Sequence, residues 1–148
     1  MTIRERIQEG IKQATKDRNT LRTETLRMAK GALLLKEKES PHADGVSDEE
    51  AVAALRAEVK KRQQSMETFR QVNRLEMVEQ LEQEIAIIEE FLPVQLGEAD
   101  LEARIRAYLA EHPEVNHAGK LTGALKKELG DLADGRMLME LCKKALGQ

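Results

Sequence analysis

The stretch Leu75 to Leu96 (LEMVEQLEQEIAIIEEFLPVQL) constrains this chain more than any other. Leu75, Val78, Leu81, Ile85, Ile88 and Leu92 recur every three or four residues and draw one apolar stripe down a helix of about five turns. Glu76, Glu79, Glu82, Glu84, Glu89 and Glu90 fill much of the remaining surface. Pro93 offers no N–H and disfavours helical geometry at the residue before it, so the helix has to stop there. Whatever precedes this helix must pack on its stripe. Whatever follows Pro93 reads as a separate small unit.

The rest of the chain is helical by the same logic. Ala, Leu, Glu, Lys, Arg and Gln dominate, and all are good helix formers. Only Pro41, Pro93 and Pro113 interrupt, and no segment alternates apolar and polar residues in a β-rich composition. The expected fold class is all-α. An antiparallel N-terminal unit of about four helices, residues 1–95, precedes a small three-helix C-terminal unit, residues 96–148. The 148 residues suffice for one ordinary domain or two small ones.

In chain order, the first helix runs from about Thr2 to Asp17 with Ile3, Ile7, Ile11 and Ala14 inward. Asn19 or Thr20 caps a second, about Leu21 to Glu39, carrying Leu26, Met28, Ala29, Ala32, Leu33 and Leu35. Ser40 to Val46 is a loop by composition. Ser47 and Glu50 form a capping box for the third helix, whose stripe is Val52, Leu55, Val59, Met66 and Phe69. After a turn at Gln71 to Arg74 comes the Leu75 helix. The fifth helix, Glu98 to Glu111, buries Leu101, Ile105, Tyr108 and Leu109. The sixth, Gly119 to Leu129, buries Leu121, Ala124, Leu125 and Leu129. Asp134 caps the seventh, Gly135 to Leu146, which buries Leu138, Leu141, Cys142 and Ala145.

Catalytic chemistry finds little support. Ser47 is committed to a cap and Ser65 sits mid-helix, while a nucleophile needs a positioned base and an orienting group. Cys142, the one cysteine, lies on an apolar face and reads as a buried, inert thiol. His112 and His117 share a loop, but no second group of ligands stands at metal spacing. There is no phosphate loop and no dinucleotide fingerprint. The chain calls for no cofactor and no metal, and shows no stand-alone active site. A single cysteine permits no internal disulfide, which suits a reducing cytoplasm. Early acids at Glu5 and Glu9 are unlike a signal or transit peptide. No apolar run approaches the ~20 residues that cross a bilayer, so no membrane role is expected.

Charge is unevenly spread. Residues 1–39 hold ten Lys/Arg against six Asp/Glu, residues 40–99 six against thirteen, and residues 100–148 eight against eight. The first third can therefore face a polyanion while the middle cannot. Arg18, Arg22, Arg27 and Lys30 fall on or near the second helix, and Lys60, Lys61 and Arg62 add a second cluster. Lys120, Lys126, Lys127, Arg136, Lys143 and Lys144 follow in the C-terminal unit. Such helical surfaces track phosphates. The only aromatics, Phe69, Phe91 and Tyr108, read as buried. That disfavours base stacking with a single strand and favours a folded RNA recognised by shape and backbone.

Four stretches carry a family resemblance: TLRMAKGAL from Thr25, EVKKRQQSMETF from Glu58, EIAIIEEFLPVQL from Glu84, and GKLTGAL from Gly119 with ADG at Ala133. Along essentially its whole length the chain resembles the YqeY-like proteins of the GatB/YqeY family. The resemblance implies a helical N-terminal unit and a small helical tail. It also implies kinship with the C-terminal region of the GatB subunit of tRNA-dependent amidotransferase. That enzyme uses glutamine to amidate Glu or Asp already carried on tRNA. Its GatB tail helps hold the tRNA, and its amidation site lies in a part of GatB that this short chain lacks. The matching positions include Arg27, Lys30, Lys60, Arg62 and Arg74, and Gly119, Lys120, Gly123, Leu125, Ala133, Asp134 and Gly135 in the tail. Leu132 stands where the family usually has a basic residue, and Thr122 where methionine is common. The expected function is a tRNA-binding accessory module without a complete active site. Its expected RNA contacts are Arg22, Arg27, Lys30, Lys60, Lys61, Arg62, Arg74, Lys120, Lys126 and Arg136. The alternative is a helical adaptor that binds an amidotransferase or aminoacyl-tRNA synthetase subunit through the acidic side of the Leu75 helix.

Overall fold

Four of the seven α-helices among the described residues begin where a short polar side chain satisfies a free N–H group of the first turn. The computed structural model describes residues 1–39 and 45–148, so the expected loop from Ser40 to Val46 lies mostly outside the described residues. Helix α1 (Ile3–Lys16) is capped by Thr2, whose hydroxyl accepts from the Glu5 N–H at 3.1 Å. Asp48 Oδ1 adds a second acceptor, for the Ile3 N–H at 2.9 Å. Helix α2 (Thr20–Glu39) is capped by Asn19, whose side-chain oxygen accepts from the Arg22 N–H. Helix α3 (Asp48–Gln71) opens with the expected capping box of Ser47 and Glu50. Helix α4 spans Leu75–Glu89. The turns after α1 and α3 share one device. Arg18 (φ 56°) and Asn73 (φ 57°) adopt left-handed geometry. The next residue's N–H then reaches back to Ala14 and Phe69 respectively. This closing pattern satisfies the last carbonyls of each helix.

The described residues contain seven α-helices and no strand. The chain divides into two compact units, Met1–Pro93 and Val94–Gln148. In the first, α1 packs on α2, α2 on α3 and α4, and α3 on α4. Ile7, Leu26, Leu33, Leu55 and Ile88 are its most deeply buried large side chains.

Three expectations shift here. Helix α4 ends at Glu89, three residues before Leu92. Its chain then tightens, with Phe91 N–H bonding Ile88 and Leu92 N–H bonding Glu89. Pro93 imposes this, because the helix cannot continue through Leu92. Phe91 and Leu92 stay buried all the same. Leu75, expected on the stripe, is exposed, and Glu84 is buried in its place. On α2 the core face is Leu26, Ala29 and Leu33, while Met28 and Leu35 point away at 55% and 64% exposure. A helix of 3.6 residues per turn cannot turn residues 26, 29 and 33 inward together with 28 and 35.

The second unit holds α5 (Glu98–Glu111), α6 (Ala118–Leu129), a 3-10 turn over Gly130–Leu132, and α7 (Gly135–Ala145). Helix α7 packs on both α5 and α6. Leu101, Ile105, Leu121, Leu125, Leu138 and Cys142 make its centre. Asp134 caps α7 as expected, accepting from the Met137 N–H at 3.0 Å. Ala145, expected inward, is exposed, and Phe69 and Tyr108 are half-buried rather than buried. The Leu-Pro-x-Gln-Leu stretch serves both units in turn. Leu92 fills the first core, and the Pro93 carbonyl accepts from Arg56. Gln95 donates to the Asp131 carbonyl at 2.9 Å, and the Leu96 N–H donates to the Leu132 carbonyl at 2.8 Å. Among the described residues no helix is long and apolar enough to cross a membrane.

Candidate nucleic-acid interface

The basic residues fall into two groups: those engaged within the fold and those left without an acidic partner. Arg22 belongs to the first. Its guanidinium grips the Glu90 carboxylate with both terminal nitrogens, at 2.7 and 3.3 Å. Arg6 donates to the Glu90 carbonyl and lies over the Phe91 ring. Arg56 holds the Pro93 carbonyl. Three cations thus gather at the C-terminal end of α4, where the helix dipole is negative. Arg4 pairs with Glu37. Much of the positive excess of the first third is therefore spent inside the fold.

Arg62 departs most from expectation. The basic turn Lys60-Lys61-Arg62 does not face solvent as a unit, because Arg62 is only 5% exposed. Its Nε donates to Glu84 Oε1 at 3.1 Å. One terminal nitrogen donates to the carbonyl and carboxylate of Glu58, and the other approaches the Met28 sulfur. Gln80 completes the site by donating to Glu84 Oε2. The signal was present in the sequence. Arg62 lies three residues after Val59 and four before Met66, and Glu84 three after Leu81 and four before Ile88. One charge of each sign thus interrupts the apolar stripe of two consecutive helices, which is the pattern of a buried pair.

Lys126, half-buried, is likewise engaged by the fold. Its Nζ donates to the Gly130 carbonyl at 2.9 Å and to the Ala133 carbonyl, closing the end of α6 over the 3-10 turn. Arg136 pairs loosely with Glu140 and Arg74 with Glu76, while Lys61 donates to Glu58 at 3.1 Å. On the acidic side of α4, Glu82 meets Arg70 and Glu76 meets Arg74.

Arg27, Lys30, Lys60 and Lys120 have no acidic partner among the described residues, and neither does Lys127. Lys120 and Lys127 are seven positions apart on α6, two helical turns, so they stand in one row about 10.5 Å along the axis. Leu121, Leu125 and Leu129 are buried on the opposite side. Gly123 lies between the two lysines, and a Cβ there would meet no atom within 4 Å. The row is therefore two free cations across a strip of bare backbone. Lys127 was only one basic residue among several in the sequence; its alignment with Lys120 and Gly123 gives it weight.

His117 and His112 have structural tasks. His117 Nδ1 accepts from the Lys120 N–H at 3.3 Å and caps α6. Its ring occupies the space over Gly119, where a Cβ would come within 3.0 Å of it. His112 stacks on Tyr108, with centroids 4.1 Å apart, and its Nδ1 meets the Tyr108 carbonyl. Burial pushes the Cys142 thiol above its ordinary pKa, and a hydrogen bond with Thr122 offsets part of that. Among the described residues no three His, Cys, Asp or Glu side chains gather so as to hold a metal ion.

Over residues 4–146 the chain matches the family described as Yqey-like protein. No curated protein matches it.

Proposed function

Because the chain belongs to the YqeY-like family, the GatB/YqeY type of domain, we propose that it is a tRNA-binding accessory module related to tRNA-dependent amidotransferases. In this reading it has no complete active site of its own. The observation that supports it best is the row Lys120–Gly123–Lys127 on α6, whose first two members lie in the GKLTGAL stretch that carries the family resemblance and whose third lies two residues beyond it. Cations free of internal partners keep their full attraction for phosphate, and a glycine between them lets a sugar–phosphate chain approach the helix. Arg27, Lys30 and Lys60 are the secondary contacts. Arg22, Arg62 and Lys126 serve the fold instead.

Charge reversal tests this reading. Lys120→Glu with Lys127→Glu should weaken tRNA binding by more than tenfold and leave the circular dichroism spectrum unchanged. Reversal of Arg27, Lys30 and Lys60 should weaken it less. Arg62 has to stay out of any such set, because its loss would act through folding. Parent-like affinity in the Lys120/Lys127 double variant contradicts the placement of the interface on α6.

A further inference from the structure

The outer face of α2 is apolar where a solvated helix should be polar. Met28 (55% exposed, though its sulfur meets Arg62), Leu34 (39%) and Leu35 (64%) lie on the side turned away from Leu26, Ala29 and Leu33. Gly31 sits in their midst, and a Cβ there would meet nothing within 4 Å. Large exposed apolar residues scattered singly need no explanation, but three grouped about a glycine on one helix face mark a contact surface. A glycine at the centre lets a second helix approach closely.

The charges on this face identify the second helix. Glu24 lies seven residues before Gly31 and Lys38 seven after, so both return to its face two turns away. Neither has an ion-pair partner among the described residues. Let a second copy of α2 cross antiparallel with its two-fold axis at Gly31. Each position then meets the one equally far on the other side of Gly31. Lys38 meets Glu24 of the other copy, and Glu24 meets its Lys38. Leu34 meets Met28, and Leu35 lies along the alkyl stem of Arg27. The face is its own complement, as a two-fold interface requires.

We infer that the chain self-associates through α2, antiparallel about Gly31, with Met28, Leu34 and Leu35 as the apolar contact and Glu24–Lys38 pairs at both ends. One helix face is smaller than the roughly 800 Å² per partner of a standard interface, so the dimer is weak and forms in the high-micromolar range.

Sedimentation of the full chain over a concentration series tests this. The mass should rise from 16.7 kDa toward twice that value. Lys38→Glu sets acid against Glu24 at two symmetric places and should raise the dissociation constant about fivefold. Glu24→Lys should do the same, and the double exchange E24K/K38E should restore the parent value. The Cβ of Gly31→Gln meets no atom within 4 Å, so the substitution should leave helicity intact and abolish the dimer. A mass of one chain at ~2 mM, several times the dissociation constant expected of so small a face, overturns the proposal. So does a dimer that survives Leu35→Glu, or a double exchange that fails to restore association.

Discussion

Arg62 Nε donates to Glu84 Oε1 at 3.1 Å, and both residues are buried between α3 and α4. A pair removed from water in this way contributes little as a pair, but breaking it leaves one charge stranded. Arg62 faces two carboxylates, Glu58 and Glu84, whereas Glu84 is also held by Gln80. Arg62→Met should therefore cost about 3–5 kcal/mol of stability, and Glu84→Leu less than that. The double variant R62M/E84L should lie closer to the parent than the sum of the two single losses. Denaturant unfolding of the four proteins checks it, and additive losses would show that the two residues do not act as a pair.

The two α6 glycines should respond differently to a methyl group. At Gly123 an added Cβ meets open space, so Gly123→Ala should stabilise by about 1 kcal/mol through helix propensity. At Gly119 it crowds His117 Cε1 at 3.0 Å and the imidazole that caps the helix. Gly119→Ala should therefore gain clearly less, or lose stability. Thermal unfolding distinguishes the two.

The turn at Arg18 should be relieved by glycine. A side chain at φ 56° carries a steric cost of about 1–2 kcal/mol, partly offset by the greater entropy glycine loses on folding. Arg18→Gly should stabilise by about 0.5 kcal/mol, the difference between those terms. A loss of stability would mean that the Arg18 side chain holds a contact of its own.

Cys142 is fully buried, and burial holds its thiol protonated above its ordinary range. Below that range, folded and unfolded thiols carry the same proton. As pH rises past the unfolded thiol's pKa, the unfolded chain alone ionises, so this group costs stability only on the alkaline side. A maleimide at neutral pH should label the folded protein at least a hundredfold more slowly than the denatured chain. Equal rates would place the thiol at the surface.

The fold class was legible because apolar spacing, caps at Ser47 and Asp134, and the stop at Pro93 all agree. The use made of the charges was less so. Composition counts Arg22, Arg62 and Lys126 with the free cations. Only the tertiary structure reveals that Arg22 reaches the end of α4 and that Lys126 reaches back to two carbonyls. A charge that falls within an apolar stripe, as Arg62 and Glu84 do, can be recognised beforehand. An arginine whose long stem finds an acceptor 68 positions away cannot.

Binding of the full chain to total tRNA across a salt series tests the central reading most directly. Each phosphate contact should contribute roughly −0.7 to −0.9 to the slope of log K against log salt. Micromolar or tighter binding is expected, with a slope worth several contacts that falls by about two contacts in the Lys120→Glu, Lys127→Glu variant. No binding at low salt would contradict the account.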